Sequence, residues 1–326
     1  MNRNRTALVV AVFIVATALG SIYILHSQAR LRTMKLVIST TTSLYDTGVL
    51  DYLEEAFEAE HNVDLNFISS GTGLAIAHAE RGDADMIIVH APSKELSFLE
   101  SGVGVNRKTI AYNFFAIVGP QGDPAEIRGM PPYEALEALV ETGSEGGSAW
   151  VSRGDDSGTH TKEKELWSMA GFNASHLRDM GWYHEAGAGM GKTLQIAEEF
   201  GAYTLTDVGT FLKYRNEGLI SLEAMVEAGE ELLNVYSAIA VNPVSDGDPN
   251  FIDATTFIQF LVSEEGQNIF QTYGVDEYGE VLFNPIVELM ETRFDPLTAD
   301  WVEGAAYFGG SECPVEFRTD ETSLYD

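Results

Sequence analysis

The sequence predicts an α/β protein with mixed, mostly parallel sheets, built as two lobes between which the chain passes twice. From residue 36 to about residue 115, short apolar strands alternate with helices at the spacing of βαβ units. Two longer apolar segments, Tyr112–Val118 and Val235–Val241, are candidates for the strands that carry the chain out of one lobe and back. A chain of 326 residues is long enough to bury a sizeable core.

Apolar periodicity predicts the elements of the first half. One helix presents Val49, Leu50, Leu53 and Phe57 on a single face, at the three- and four-residue spacing of an α-helix. A second predicted helix is expected to turn Leu74 toward the core. The other predicted elements of this half are the strands Leu36–Ser39, Val63–Phe67 and Asp85–Val89 and the helices Leu74–Arg81 and Pro92–Leu99.

The same reasoning predicts the second half and the limits of the lobes. The predicted elements are the helices Tyr133–Val140, Thr161–Ala170, Thr193–Phe200 and Thr255–Leu261 and the strand Ala202–Thr206. We expect residues 33–116 and 239–310 to form lobe 1 and residues 117–238 to form lobe 2. The crossings between the lobes are expected near Ile117 and Ala238.

Small hydroxyl residues occur where three of the predicted helices begin. Thr40–Ser43 and Ser69–Gly73 each follow a strand, and Ser152–His160 is a glycine-rich loop that leads into a helix. Such junctions expose free backbone N–H groups and the positive end of the helix dipole, which favours an anion. Arg153 lies at the mouth of the third junction. Serine and threonine also cap ordinary helices, but three such junctions indicate convergence on one ligand.

The charge of the chain excludes some classes of partner. There are 50 acidic and 19 basic residues, which gives a net charge of −31. Such a surface repels nucleic acid, and no basic patch interleaved with aromatic residues is present. It also repels a free oxyanion at long range. Binding of an anion must therefore be local and largely dipolar, and the acidity itself is best explained by solubility in a salty medium.

The two ends of the chain are expected to lie outside the fold. Residues 1–32 have a basic start followed by the uncharged, mostly apolar run Thr6–Leu25, which is long enough to cross a membrane. An uncleaved membrane anchor is favoured over a signal peptide cleaved after Ala29. The acidic tail, residues 311–326, is expected to be disordered. It contains Cys313, and since this is the only cysteine, no intramolecular disulfide forms.

Other motifs are too incomplete to support a different function. Ala186–Thr193 approaches a P-loop pattern, but it begins with alanine instead of glycine, and an exported body meets little ATP. Ser157, His160 and Asp155 or Asp156 contain the residue types of a hydrolase triad. Residues this close in one loop rarely align as nucleophile, base and orienting acid, so His160 is expected on a helix surface. The histidines lack the spacing of a zinc site, and we expect no metal, no cofactor and no catalysis.

Taken together, the motifs of this chain resemble the tungstate-binding proteins of ABC importers. The resemblance runs in order from about residue 36 to residue 275, and the loop Ser152–His160 is its most specific part. Relatives usually carry arginine where this chain has Val208. The matching motifs are Thr40–Ser43, Gly71–Gly73, Gly82–Asp85, Val89–Ala91, Val118–Pro120, Ser152–His160, Gly189–Leu194, Ala202–Asp207 and Val241–Pro243.

The resemblance implies a two-lobed periplasmic-binding fold of type II that receives a tetrahedral oxyanion, tungstate or molybdate, in the cleft. It also implies delivery to a permease and its ATPase outside the cytoplasm. The alternatives are a phosphate- or sulfate-binding protein of the same fold, a membrane-anchored oxyanion sensor, and a secreted enzyme. The implied ligand-binding residues are Thr41, Thr42, Ser43, Ser70, Gly71, Thr72, Arg153, Ser157, Gly158 and Thr159.

A proton-free dianion needs hydrogen-bond donors, whereas partly protonated phosphate also needs an acceptor. The candidate acceptors are Asp46, Asp155 and Asp156. We expect the last two to point away from the ligand, capping turns or pairing with Arg153. This orientation favours tungstate or molybdate, but the sequence leaves phosphate open, because either carboxylate can also turn toward the ligand.

Overall fold

A computed structural model describes residues 34–227, 229–319 and 324–325. The strands are β1 (Met34–Thr41), β2 (Val63–Ser70), β3 (Met86–Val89), β4 (Gly104–Gly119), β5 (Trp150–Ser152), β6 (Tyr183–Glu185), β7 (Thr204–Asp207), β8 (Glu223–Val226), β9 (Leu233–Val241) and β10 (Asn284–Pro285). The helices are α1 (Thr42–Thr47), α2 (Val49–Glu60), α3 (Thr72–Glu80), α4 (Pro92–Glu100), α5 (Pro132–Ser144), α6 (Gly158–Met169), α7 (Ala174–Leu177), α8 (Met190–Phe200), α9 (Val208–Asn216), α10 (Phe251–Leu261), α11 (Glu264–Thr272), α12 (Val275–Tyr278), α13 (Val287–Thr292) and α14 (Pro296–Ala306).

The long strand β4 belongs to both lobes. Its first part, from Gly104 to Phe114, pairs with β9, which in turn pairs with β3, and the order continues through β1 to β2. From Phe115 onward, β4 pairs with β7 and β8 instead. The hydrophobic core is divided in the same way, since one cluster packs around β1 and α2 and another around β5 and α6. The predicted α/β fold with two lobes is confirmed.

The expectation of mostly parallel strands is wrong for the centre of the sheet. Strands β1, β2 and β3 are parallel to one another, as the βαβ spacing predicts. Strand β9 runs antiparallel to both β3 and β4, and β4 runs antiparallel to β7, β8 and β10. The reason is topological, because the strands that carry the chain between the lobes run in opposite directions and pair side by side. The predicted mixed sheet is therefore confirmed, and its parallel pairs are those among β1, β2 and β3.

The pairing also bears on the boundary between the lobes, which stays a prediction. Ala238 pairs with both β3 and β4, well inside the sheet of lobe 1. The neighbouring residues Val235 and Tyr236 pair with the first part of β4. We therefore place the return crossing between Val226 and Leu233 rather than near Ala238. The outward crossing near Ile117 moves only slightly, to Phe115, where β4 changes partners.

Amphipathic periodicity locates the buried helix faces, with one exception. Val49, Leu50, Leu53 and Phe57 of α2 are each at most 1% exposed, as predicted. Leu74 of α3 is 59% exposed, so its predicted burial is wrong. The buried side of α3 consists of Thr72, Ala75 and Ala79 instead. Small residues on that side allow the helix to lie close to β1 and β3.

The expected disorder of the acidic tail is wrong for residues 311–319. The carboxylate of Glu312 accepts hydrogen bonds from Lys108 Nζ at 2.6 Å and from the backbone and side chain of Thr109. Thr319 exchanges two hydrogen bonds with Asn106, and Cys313 is buried. The acidic composition hid this packing because the basic partners lie about 200 residues earlier, on β4.

The predicted targeting segment, residues 1–32, lies outside the described residues. Within the described ranges, none of the helices is long and apolar enough to cross a membrane.

Candidate functional site

The three hydroxyl-rich junctions meet in the structure, as predicted. A methyl group added at Gly71, which precedes α3, would lie 3.3 Å from the carbonyl oxygen of Asp155 and 3.6 Å from Ser157 N. The junction before α1 joins the same place, since Arg153 Nη2 donates to Thr42 Oγ1 at 2.9 Å. Glycine at position 71 is needed because a side chain would press on the loop that precedes α6. Two strands and a loop therefore bring three helix N-termini together.

Arg153 lies at the centre of this arrangement. Its side chain is only 1% exposed, and its Nη2 atom donates to Asp155 Oδ2 as well as to Thr42. The other two guanidinium nitrogens, Nε and Nη1, are buried without a hydrogen-bond partner among the described residues. A buried cation whose N–H groups are unpaired is costly. Two of its nitrogens are therefore available to bind an anion.

Two threonine hydroxyls at the junctions are also buried and unpaired. Thr72 Oγ1 at the start of α3 and Thr159 Oγ1 at the start of α6 have no hydrogen-bond partner within the part of the chain that the structure describes. Both residues are completely buried, at 0% exposure. The first backbone N–H groups of these two helices have no partner inside the helix, as at every helix N-terminus. Side-chain and backbone donors thus accumulate beside Arg153.

The remaining predicted ligand residues differ in how their side chains are engaged. Ser157 caps α6 by accepting from His160 N, and its own proton is not used in that bond. Thr41 and Ser43 are instead bonded to each other, at 3.1 Å, and Ser43 also to His90 Nε2 at 3.1 Å. Ser70 Oγ donates to Gly71 O over a long distance of 3.4 Å. A methyl group at Gly158 would touch the His90 ring, so this glycine permits close packing.

The predicted acceptors are engaged or lie elsewhere. Asp155 uses one carboxylate oxygen to pair with Arg153 and the other to accept from Ser157 N. Asp156 pairs with Lys94, and these bonds hold the pKa of its carboxyl low although burial opposes them. Asp46 lines a separate cavity with Lys213, where burial raises the pKa of its carboxyl.

His160 does not lie on the helix surface, and this prediction is wrong. It is 8% exposed, and its Nδ1 atom accepts a hydrogen bond from the backbone N–H of Asp156 at 3.0 Å. Burial lowers the pKa of its imidazole. Its role is to fasten the loop before α6, because the first turn of that helix is packed into the junction rather than turned to solvent.

Glu163 is a supporting residue that the sequence analysis missed. It is buried in the second turn of α6, directly under the loop, and accepts from Ser152 Oγ at 2.9 Å and Tyr183 OH at 2.6 Å. The indole nitrogens of Trp150 and Trp167 donate to it as well. Burial raises the pKa of the carboxyl, against these four donors. In the sequence, the one sign of this supporting role is a glutamate within an apolar helix face.

Two further buried ionisable groups lie around Arg153. Burial raises the pKa of Asp207 to about 6, although hydrogen bonds from Thr210 and the charge of Arg153 act in the opposite direction. Burial lowers the pKa of His90 to about 4, and the charge of Arg153 lowers it further, against the hydrogen bond to Asn234. At neutral pH, His90 is therefore an uncharged imidazole. Across the described ranges, no cluster of histidine, cysteine and carboxylate side chains could hold a metal ion.

Comparisons with known proteins agree on one family. The sequence profile of the PBP superfamily domain matches residues 16–265. A protein of Haloferax volcanii, provisionally described as an ABC transporter anion-binding protein, is 45% identical over 258 residues, which is 78% of this chain and 72% of that protein. The tungstate-binding protein TupA of Peptoclostridium acidaminophilum is 37% identical over 77% of this chain and 85% of its own length.

A solved structure extends the likeness to the fold. The crystal structure of the tungstate ABC transporter from Geobacter sulfurreducens is 40% identical to this chain and superposes with a TM-score of 0.66. The match covers 73% of this chain and 98% of that one. The similarity therefore includes nearly the whole of the solved relative.

The lowered pKa of His90 predicts a specific loss of stability in acid. The unfolded chain binds a proton there near pH 6.5, but the folded protein does so only near pH 4. Stability therefore falls as the pH falls through this window, by about 3 kcal/mol at ~1.4 kcal/mol per pKa unit. His90→Gln cannot take up this proton. Urea denaturation should show its free energy of unfolding rising relative to the wild type by about that amount between pH 6.5 and pH 4.

His78→Gln is the matched control, because His78 is also hydrogen-bonded to a serine, Ser39. A pH-independent difference between His90→Gln and the wild type would contradict the uncharged state of His90.

Proposed function

Since the chain belongs to the PBP superfamily and, within it, to the family of tungstate-binding proteins of ABC transporters, we propose that it is the substrate-binding component of an ABC importer that carries tungstate. The observation that carries this proposal is the group of buried, unpaired donors on Arg153, Thr72 and Thr159. Arg153 and Thr159 belong to the loop and first turn of α6, whereas Thr72 begins α3, far away in sequence, and these two segments would direct their donors to one ligand. Buried polar groups are normally paired, so their shared orientation supports a ligand that accepts several hydrogen bonds.

The balance of donors and acceptors favours a fully ionised oxyanion. Donors comprise two nitrogens of Arg153, the hydroxyls of Thr72 and Thr159, and the hydroxyl protons of Thr42 and Ser157. The nearest carboxylate, Asp155, has both oxygens engaged. Its carboxylate is thus held by Arg153 and Ser157, and the surplus of donors over carboxylates suits a ligand that accepts hydrogen bonds at every oxygen. Tungstate fits this shell, and molybdate has the same charge and shape.

Local electrostatics explain how an acidic protein can hold a dianion. The charge of Arg153 is partly balanced by Asp155, so the ion pair alone supplies little net attraction. Helix N-termini add partial positive charge, and α3 and α6 both begin at the site. Burial removes competing water and strengthens each hydrogen bond. The attraction for the anion thus acts at short range. This is required because a protein with a net charge of −31 repels an anion at long range.

Transport requires partners outside this chain. We propose a permease with its ATPase as the recipient of the anion and a location outside the cytoplasm for residues 34–326. The apolar run Thr6–Leu25 would hold the protein at the membrane or serve as a cleaved signal. The protein would perform no chemistry on the anion.

Substitution of Arg153 tests the proposed site. Charge-assisted hydrogen bonds contribute ~1.5–3 kcal/mol each, so loss of two should weaken tungstate binding by Arg153→Ala about a hundredfold or more. Arg153→Lys keeps the charge without the planar fork and should lose about tenfold. Isothermal titration calorimetry measures both. Arg178→Ala, which removes an exposed arginine paired with Glu185 near the same loop, is the control and should bind normally. Wild-type affinity in both Arg153 variants would refute the site.

The threonine hydroxyls provide a test that separates binding from folding. Thr72→Val and Thr159→Val replace an unpaired buried hydroxyl by a methyl group of similar size. Each should weaken tungstate binding about tenfold or more while leaving the thermal stability of the ligand-free protein equal or higher. Thr255→Val is the matched control, because Thr255 Oγ1 is also buried and without a hydrogen-bond partner among the described residues, but lies on α10, away from the junctions. Equal effects of all three substitutions would show that the hydroxyls of Thr72 and Thr159 do not contact the anion.

A further inference from the structure

A continuous chain of buried hydrogen bonds runs from the sheet of lobe 1 to the anion site. Asn113 Nδ2 donates to the carbonyl oxygen of Leu282 at 3.2 Å, and Asn234 Nδ2 donates to Asn113 Oδ1 at 2.8 Å. His90 Nδ1 lies 2.8 Å from Asn234 Oδ1, and His90 Nε2 lies 3.1 Å from Ser43 Oγ. All four side chains are at most 4% exposed. Solvent therefore has little access to any link.

The direction of every hydrogen bond in this chain follows from its first member. A backbone carbonyl can only accept, so Asn113 must turn its amide nitrogen toward Leu282 and its oxygen toward Asn234. Asn234 must then present its nitrogen to Asn113 and its oxygen to His90. This oxygen can only accept, so His90 carries a proton on Nδ1. With an uncharged ring, Nε2 is an acceptor, and Ser43 donates its proton to it.

From this geometry we infer that His90 is a positioning residue of the anion site. Its imidazole accepts a hydrogen bond from the Ser43 hydroxyl, so Ser43 has no proton left to donate to the bound anion. The inference rests on the proposed function. It also changes the predicted ligand set, because Thr41 must then donate to Ser43. The hydroxyls of Thr41 and Ser43 thus shape the junction before α1, while the anion is bound by the donors around Arg153.

The place of His90 suits this role. Its ring packs against the first residue of α6, since a methyl group at Gly158 would lie 2.7 Å from it. The ring stacks on Tyr236 of β9 with centroids 4.8 Å apart. Asn113 and Asn234 form one of the last residue pairs between β4 and β9 before β4 passes into lobe 2. These hydrogen bonds and the packing of His90 therefore connect the place where β4 passes between the lobes to the junctions before α1 and α6.

Charged groups around His90 support an uncharged ring. Arg153 acts on it from the loop before α6, and its positive charge lowers the pKa of the imidazole in addition to the effect of burial. Lys162 and Glu165 of α6 line the same cavity of about 230 Å3 as His90, with opposite charges. An imidazole that stays neutral adds no pH dependence of its own to the site. Because Asp207 titrates near pH 6, tungstate binding should vary little only between about pH 7 and 8.

The tautomer of His90 is the most direct test, and it needs no ligand. In histidine-labelled full-length protein, nitrogen NMR distinguishes the Nδ1-protonated ring from the commoner Nε2-protonated one, and the missing signal of His90→Gln assigns it. We expect the Nδ1-protonated form, unchanged from pH 6 to pH 8. An Nε2-protonated ring, or titration within this range, would overturn the inference. The spectrum of the ligand-free protein is independent of the proposed function, so failure to bind tungstate would be recognised separately.

Reversing the hydrogen bond between Ser43 and His90 gives a second test. In Asn234→Asp, a carboxylate faces His90 Nδ1 and should raise the pKa of the ring, so that a cation forms as the pH falls. Nε2 then becomes a donor, and Ser43 can turn its proton to the anion. Between pH 8 and pH 5.5, the ratio of the tungstate affinity of this variant to that of the wild type should increase about tenfold. The wild type is the reference because Asp207 also titrates in this range. For Asn234→Asp combined with His90→Gln, the ratio should stay constant. A constant ratio for a folded Asn234→Asp protein would contradict the role of His90.

Discussion

The buried guanidinium of Arg153 is the interaction on which the rest of the site depends. A cation at 1% exposure is stable only when its donors are paired. Asp155 and Thr42 engage a single nitrogen, and Glu163 fixes the loop from below through Ser152. The structure therefore holds the charge in place and leaves two of its nitrogens unpaired by the described residues. The N-termini of α1, α3 and α6 surround this charge. Because they meet there, the site has a surplus of hydrogen-bond donors.

The strands between the lobes explain why distant junctions can meet. Strand β4 extends through both sheets, and β9 returns beside it in the opposite direction. Between them, Asn113 and Asn234 replace the apolar residues expected in a buried sheet. The free-energy cost of burying these two side-chain amides is compensated only if every amide group is hydrogen-bonded. The hydrogen bonds that run from Asn113 through Asn234 to His90 meet that condition and connect the sheet to the site.

Apolar periodicity predicted the order of the elements and most helix faces from the sequence, because burial of α2 or β1 is encoded locally. It failed for Leu74, where small residues on the other side of α3 decide the packing, and for the strand directions, which depend on distant pairings. Hydroxyl-rich junctions predicted three segments that lie close together in the structure. They could not separate Thr72, which is unpaired, from Ser43, which is bonded to His90, because that difference depends on partners far along the chain. The burial of His160 and the support from Glu163 were hidden for the same reason.

Tungsten scatters X-rays anomalously, so a crystal of the protein grown with tungstate would locate the bound anion. We expect one strong anomalous peak for the tungsten atom, with its oxygens within hydrogen-bond distance of Arg153 Nε and Nη1 and of the Thr72 and Thr159 hydroxyls, and with Ser43 still bonded to His90. A peak elsewhere, or an anion bound without Arg153, would contradict this expectation.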